Sequence, residues 1–407
     1  MSQALDGAAR AAAGRVIAAL AARFRDLDIA EDAFSEACLA AARLWPKEGD
    51  PDDPTAWLYR AAFRRALDNL RRRGVRARLQ PDAPTPEPSA EDALVSDAAL
   101  IPDERLRLIF ICCHPAIAPE SRAALTLRLV CGLEARTIAA AFLVPEATVL
   151  QRLTRAKRKL AESGARFAVP GPEERTERLE AVLSTVEIAY AKAHEDAAGA
   201  GPHAGYAEEM LGLTEALASL MPDAGEVLGL AALVRYAEAR RPARVDADGG
   251  MIPLSEQDPR LWRRALIEDG DAYLHRARNL GAFGPRALNA AIHGIWCARR
   301  SLDEPAPWPV VLRLYDAMLA ERDDVIVRLN RAVALAEIEG PAAALAEVEA
   351  LANPRMEAFQ PWHAVRADLL GRTARTDEAR RAYDRAIDLA TGPAERRWLE
   401  SRRARLG

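Results

Sequence analysis

The chain has 407 residues, half of them hydrophobic and 5% aromatic, with a formal net charge of −4. That length suits two or three domains. No apolar run reaches the roughly 18 residues of a membrane helix and residues 8–13 make no signal peptide, so a soluble cytoplasmic protein is expected. Cys38, Cys112, Cys113, Cys131 and Cys297 form no CxxC pair, which argues against a disulfide framework.

The net charge hides a split. Residues 1–166 carry 25 Lys and Arg against 22 Asp and Glu, a net of +3, and the remainder carry 31 against 38, a net of −7. A basic head on an acidic tail suggests that the head meets a polyanion. Alanine is frequent and charges recur at helical spacing, so an all-α fold is expected throughout.

In chain order, residues 5–45 read as two or three helices, with Val16, Ile17, Leu20 and Phe24 on one face. Asp28 is expected to cap a helix over 29–44, which Trp45-Pro46 would end. Residues 46–54 are rich in Pro, Gly and Asp and read as a loop. Asp53-Pro54 then starts a helix to about residue 73, stopped at Gly74. From Arg60 to Arg78 there are eight arginines and one acid, Asp68, with Trp57, Tyr59 and Phe63 interleaved. Arginines attract phosphates and aromatic rings stack on unpaired bases, so this helix could hold single-stranded or melting DNA. The same pattern also suits a solvated basic face with its aromatics in a core.

Residues 80–103, with Pro81, Pro84, Pro86, Pro88, Pro102 and many acids, read as a linker. Residues 104–166 read as a second small helical unit, interrupted at Pro115 and Pro119. Its second half has a helix–turn–helix pattern: a helix over 133–142 with small residues at Ala139, Ala140 and Ala141, a turn at Leu143-Val144-Pro145, and a helix over 146–160. Val149, Leu153 and Ala156 would pack inward. Such a second helix enters the major groove by its N-terminal part. An ordinary helical hairpin has the same spacing.

After a Pro/Gly-rich joint at 167–175, residues 171–407 read as a helical extension. Arg331-Ala332-Val333-Ala334-Leu335, with Ala344 following, is echoed 35 residues later by Arg366-Ala367-Asp368-Leu369-Leu370, with Ala379 following. This period is close to the roughly 34 residues of tetratricopeptide repeats, which are expected at about 325–391. Cys112-Cys113-His114 is a poor start for a tetrahedral metal site and reads as a packed helix end. Asp246-Ala247-Asp248-Gly249 reads as a polar turn rather than a calcium loop. No nucleophile–base–acid order and no Gly-rich phosphate loop is readable, so neither an enzyme nor a cofactor is expected.

Three segments in order resemble the extracytoplasmic-function group of sigma-70 factors. They are Asp28-Ile29-Ala30-Glu31-Asp32-Ala33-Phe34-Ser35-Glu36-Ala37, Pro54-Thr55-Ala56-Trp57-Leu58-Tyr59-Arg60 with Ala66-Leu67-Asp68-Asn69-Leu70-Arg71-Arg72-Arg73, and Ala147-Thr148-Val149-Leu150-Gln151-Arg152-Leu153-Thr154-Arg155-Ala156-Lys157. The tail, through Arg328-Leu329-Asn330-Arg331 and His363-Ala364-Val365-Arg366, resembles a subgroup with a tetratricopeptide-like extension.

The resemblance implies a region 2-like domain at 1–79, an acidic linker at 80–103, a region 4-like domain at 104–166 and the extension at 171–407. It implies bacterial RNA polymerase core as partner, through the β′ clamp helices and β flap, with promoter DNA as the other. Glu31, Asp32 and Glu36, taken as exposed, would bind polymerase. Trp57, Arg60, Arg64, Arg65, Arg71 and Arg72 would bind the −10 element. Gln151, Arg152, Thr154, Arg155 and Arg158 would bind the −35 element, and Leu150 stands where many members carry a basic residue. The extension would bind a protein or peptide and regulate activity. The competing reading is a helix–turn–helix regulator with a repeat-type sensor domain that never joins polymerase.

Overall fold

A computed structural model describes residues 3–77, 106–130, 133–142, 144–163, 171–194, 206–281 and 283–406. The linker at 80–103 and Cys131 lie outside the described residues, as do the side chains of Arg72, Arg73 and Arg76. The described residues are helical, without strands; one isolated bridge joins Val245 to Met251. The chain forms two compact units, Met1–Lys192 with Glu208–Leu217, and Ala193–Ala207 with Ala218–Gly407.

The first unit begins with three packed helices, α1 (Gln3–Phe24), α2 (Leu27–Glu48) and α3 (Pro54–Ala77). α2 buries Ile29, Ala30, Ala33, Phe34, Ala37, Ala41 and Trp45, the three-and-four spacing of an amphipathic helix. Its cap is Asp26 and not Asp28: the Asp26 carboxylate accepts from the Asp28 and Ile29 amides at 2.9 and 3.0 Å. Both acids suit the position, and burial of Leu27 decides between them by drawing that residue into the first turn.

Pro46 does not end α2. It removes one ladder bond, but buried Trp45 holds the last turn and Gly49, at φ 89°, terminates it. α3 starts as expected, with the Asp53 carboxylate accepting from the Ala56 amide at 2.9 Å. It runs past Gly74, since an interior glycine costs only about 1 kcal/mol.

A short helix at 106–112 (α4) leads through a tight turn to α5 (Pro119–Leu129), α6 (Ala135–Phe142) and α7 (Glu146–Glu162). Arg122 holds the turn by donating to the Ile117 and Pro115 carbonyls at 2.8 and 3.2 Å. α6 and α7 pack on each other, and α7 buries Val149, Leu153, Ala156 and Leu160. α8 (Pro172–His194) lies against the end of α4, where Cys113 Sγ is 3.6 Å from Thr185 Oγ1 and 3.7 Å from the Ala181 carbonyl. α9 (Tyr206–Leu220) follows.

The second unit is organised on α10 (Gly225–Ala239), whose side chains are buried almost without exception. It is clasped by α11 (Arg264–Asn279) and α12 (Pro285–Cys297). Tyr236 fits between two glycines, since a Cβ at Gly270 or Gly294 would lie 2.8 or 3.0 Å from its side chain. Its hydroxyl donates to Asp271 at 2.7 Å.

Beyond come α13 (Trp308–Glu321), α14 (Val325–Ile338), α15 (Pro341–Ala350), a single turn α16 (Pro354–Glu357), α17 (Gln360–Arg372), α18 (Thr376–Leu389) and α19 (Pro393–Ala404). Ala332, Ala344, Ala367 and Ala379 are fully buried in one core shared by α14, α15, α17 and α18. The segment around the Val245–Met251 bridge is tied to α19 by Met251 donating to the Ala394 carbonyl at 3.0 Å. Within it, Asp246 Oδ1 accepts from the Asp248 and Gly250 amides at 3.0 and 2.7 Å, so this acid is spent on a turn.

Candidate nucleic-acid interface

α3 turns Leu58, Ala62 and Ala66 fully into the bundle, which leaves Arg60, Arg64, Arg65 and Arg71 on the outer face. Arg60 and Arg64 are exposed, and Arg71 is exposed 3.9 Å from Asp68. Arg65 Nε lies 3.8 Å from Glu36, with both side chains nearly half exposed, a geometry worth little in water. The aromatics are only partly available. Trp57 stands edge-on to Trp45 with centroids 5.5 Å apart, and Phe63 packs 5.4 Å from Phe24 and 6.1 Å from Tyr59. The described arginines of α3 thus face outward while its rings sit partly in the core.

α7 divides as its spacing predicts. Gln151, Thr154, Arg155 and Arg158 face outward, and Arg152 is half-buried. Leu150 is 50% exposed in the first turns of the helix. The Thr154 hydroxyl donates to the Leu150 carbonyl at 2.9 Å, so its hydrogen is already used. Arg158 lies 3.6 Å from Glu162 one turn on.

The acids of α2 are not equally exposed. Asp32 is exposed and Glu36 is partly so. Glu31 departs from expectation: its side chain is only 14% exposed and lies between Arg128 of α5, at 3.4 Å, and Lys157 of α7. Lys157 also reaches Asp28 at 2.8 Å. Burial pulls the Lys157 pKa down, but the Glu31 and Asp28 carboxylates outweigh it and hold it above the ordinary value. Residues 128 and 157 stand far from 31 in the chain, and no periodicity links them.

Cys113 is buried with its thiol pushed up to about 11 by burial, although the Thr185 hydrogen bond acts the other way. Cys112 and Cys297 are likewise buried. The second unit has a cleft of about 580 Å³ lined by Glu349, Glu357, Trp362, His363, Arg366 and Arg385. In it the Trp362 indole donates to the Val348 carbonyl at 2.9 Å, and His363 Nε2 is 2.9 Å from the Glu357 carbonyl. Among the described residues no helix is long and apolar enough to cross a membrane.

Comparison with known proteins matches both groups of helices. Residues 9–76 match the family model for Sigma-70 region 2, and residues 107–160 match that for Sigma-70 region 4. Residues 178–278 match a family of unknown function (DUF6596). An uncharacterized protein of Rhizobium meliloti (strain 1021) is 38% identical over 401 residues, covering 97% of this chain and 94% of that protein.

Proposed function

The chain belongs to the sigma-70 family, as an RNA polymerase sigma factor with a C-terminal extra domain, and from that premise we propose how its parts divide the work. Core polymerase and promoter DNA are its partners, and its role in initiation is non-catalytic. We assign it to the extracytoplasmic-function group. Residues 1–79 serve as the polymerase and −10 domain, 80–103 as the linker, 104–166 as the −35 domain, and 171–407 as the extension, with tetratricopeptide-like repeats at about 325–391.

The observation that carries this reading is the pairing of two helices, α3 and α7. Each spends its apolar side on its own core and turns arginines outward. On α3, Arg60, Arg64, Arg65, Arg71 and Arg72 hold the phosphates of the melted −10 strand. Trp57, half-withdrawn against Trp45, offers one ring surface to an unpaired base. Unstacking that base costs a few kcal/mol, which stacking and phosphate contacts offset.

On α7, Gln151 and Arg155 reach base edges of the −35 duplex, while Arg152 and Arg158 hold its backbone. Asp32 and Glu36 on α2 pair with basic residues of the β′ clamp helices, Glu31 being already engaged by Arg128 and Lys157, and the 104–166 domain meets the β flap. The extension binds a protein or peptide, for which the cleft around Trp362 and Arg366 is the candidate place, and so regulates activity.

Run-off transcription with core polymerase, with and without the protein, on a promoter library tests this reading. Promoter-selective transcripts that require the protein are expected. Specific binding of duplex promoter DNA by the protein alone, with no effect on polymerase, would favour a repressor-like regulator instead. Deleting residues 221–407 is expected to alter the activity or its control, and an unchanged transcript pattern would remove the regulatory role of that part of the extension.

A further inference from the structure

The outer face of α7 is not uniformly polar. Along it, at three-and-four spacing, come Ala147, Leu150, Gln151, Thr154, Arg155 and Arg158, all exposed. The arginines stand in the later turns, and the early turns carry apolar side chains and one amide. The Thr154 hydroxyl is turned back on the helix and donates to the Leu150 carbonyl at 2.9 Å. That leaves Thr154 no hydrogen to offer beside Leu150.

Leu150 is the exception among the large apolar residues of this helix. Val149, Leu153 and Leu160 are buried in the core, whereas Leu150 is 50% exposed. A single exposed leucine on an ordinary surface needs no explanation. This one stands in the early turns, the part of a recognition helix that enters the major groove, one residue before Gln151.

Against DNA the side chain loses its water, and what it meets decides the sign of the contact. Beside a base amino group or a phosphate oxygen, leucine strips water from a polar atom and returns no hydrogen bond, which is unfavourable. Beside a methyl group it buries apolar surface on both partners. In an unmodified duplex, thymine is the base that shows the major groove a methyl group.

We propose, resting on the reading of α7 as the −35 helix, that Leu150 reads a thymine through its C5 methyl group. Gln151 beside it suits adenine N6 and N7, so the two select thymine and adenine on the same or neighbouring base pairs. Cytosine loses twice, having no methyl group and an amino group that leucine cannot satisfy. Part of the promoter choice is thus made by a side chain without charge, which releases no counterions and adds nothing to the salt dependence of binding.

The test uses holoenzyme, core polymerase with the full-length protein, on the promoter that the run-off library selects. Each thymine on either strand of its −35 element is replaced in turn by deoxyuridine, which removes one methyl group and keeps every hydrogen-bonding atom. With the wild type, one such replacement is expected to weaken binding about fourfold, the factor for one buried methyl-sized group. Leu150→Ala is expected to weaken binding to the thymine duplex at least as much and to make that replacement silent. Its fold is safe, because the side chain is half exposed and alanine is the better helix former. Leu150→Met keeps an apolar side chain of similar volume and should retain most of the sensitivity to deoxyuridine. That sensitivity should persist across a salt series, as a phosphate contact would not.

A selected −35 element without thymine overturns the proposal. So does a wild type indifferent to deoxyuridine at every thymine, or a loss that is equal in Leu150→Ala. Where Gln151→Ala and Arg155→Ala still change which −35 sequences are bound, that failure belongs to Leu150 alone. Where neither does, the reading of α7 as the −35 helix has failed with it.

Discussion

Trp57 meets Trp45 edge-on, with ring centroids 5.5 Å apart and planes at 76°, and this pair joins the first turn of α3 to the last turn of α2 across the Pro-rich loop. The geometry is favourable for two quadrupoles and adds about 0.5–1.5 kcal/mol to the area buried. Trp57→Ala should therefore lower stability by about 1–3 kcal/mol in urea denaturation, less than for a fully buried tryptophan. Trp57→Phe should recover most of that loss, because a ring edge remains.

Arg155 and Arg158 share the outer face of α7 but should fail differently. Arg155→Ala is expected to cost about 1–3 kcal/mol on the preferred −35 sequence and to relax selectivity there. Arg158→Ala should weaken binding evenly across −35 sequences and lower the salt slope by about one. Holoenzyme binding to matched and mutated −35 elements across a salt series separates the two, and equal losses for Arg155→Ala on all sequences would make it a phosphate contact.

His363 links the second unit to pH. It is 8% exposed, and its pKa is lowered by burial, with Arg385 and Arg366 acting in the same direction and the Glu357 carbonyl against them. The folded chain therefore holds this proton less tightly than the unfolded chain, whose histidine titrates near 6.5. The stability tied to neutral His363 is complete above about pH 6.5 and is lost as pH falls through the folded pKa. Melting temperatures should drop over that acid range, and His363→Gln should flatten the drop. An unchanged slope would show that His363 does not govern it.

Gly229 sets the distance between α10 and α12. A Cβ there would stand 2.6 Å from the Ala287 nitrogen and 2.8 Å from its Cα, both backbone atoms that cannot swing away. Gly229→Ala gains about 1 kcal/mol of helix propensity but forces two helices apart, which costs about 1–3 kcal/mol and more when the backbone resists. Net destabilisation is expected in chemical denaturation, and a stabilised variant would contradict this packing.

Legibility in the sequence followed the range of the interaction. The Asp53 cap and the buried stripe of α7 are local and were readable from spacing. Asp26 and Asp28 are both good caps two residues apart, and only the burial of Leu27 chooses between them. Pro46 reads as a stop, yet tertiary packing of Trp45 carries the helix past it.

The partners of Glu31 were invisible for a further reason. Pairing with residues 128 and 157 needs the two halves folded and docked, and an acid on a polar helix face looks the same whether water or lysine meets it. α10 gave little away either, because a helix buried on all sides has no polar stripe to mark its period.

α8 bears on how such chains are inherited. The match to the family of unknown function opens at residue 178, inside α8, yet α8 through Lys192 belongs to the first unit and covers Cys113 with Thr185. A recombination event at residue 178 would splice a foreign helix onto the floor under α4. Grafts of the extension between relatives should fold only where the donor helix preserves that floor, so an exchangeable boundary is expected beyond α8 and not at residue 178.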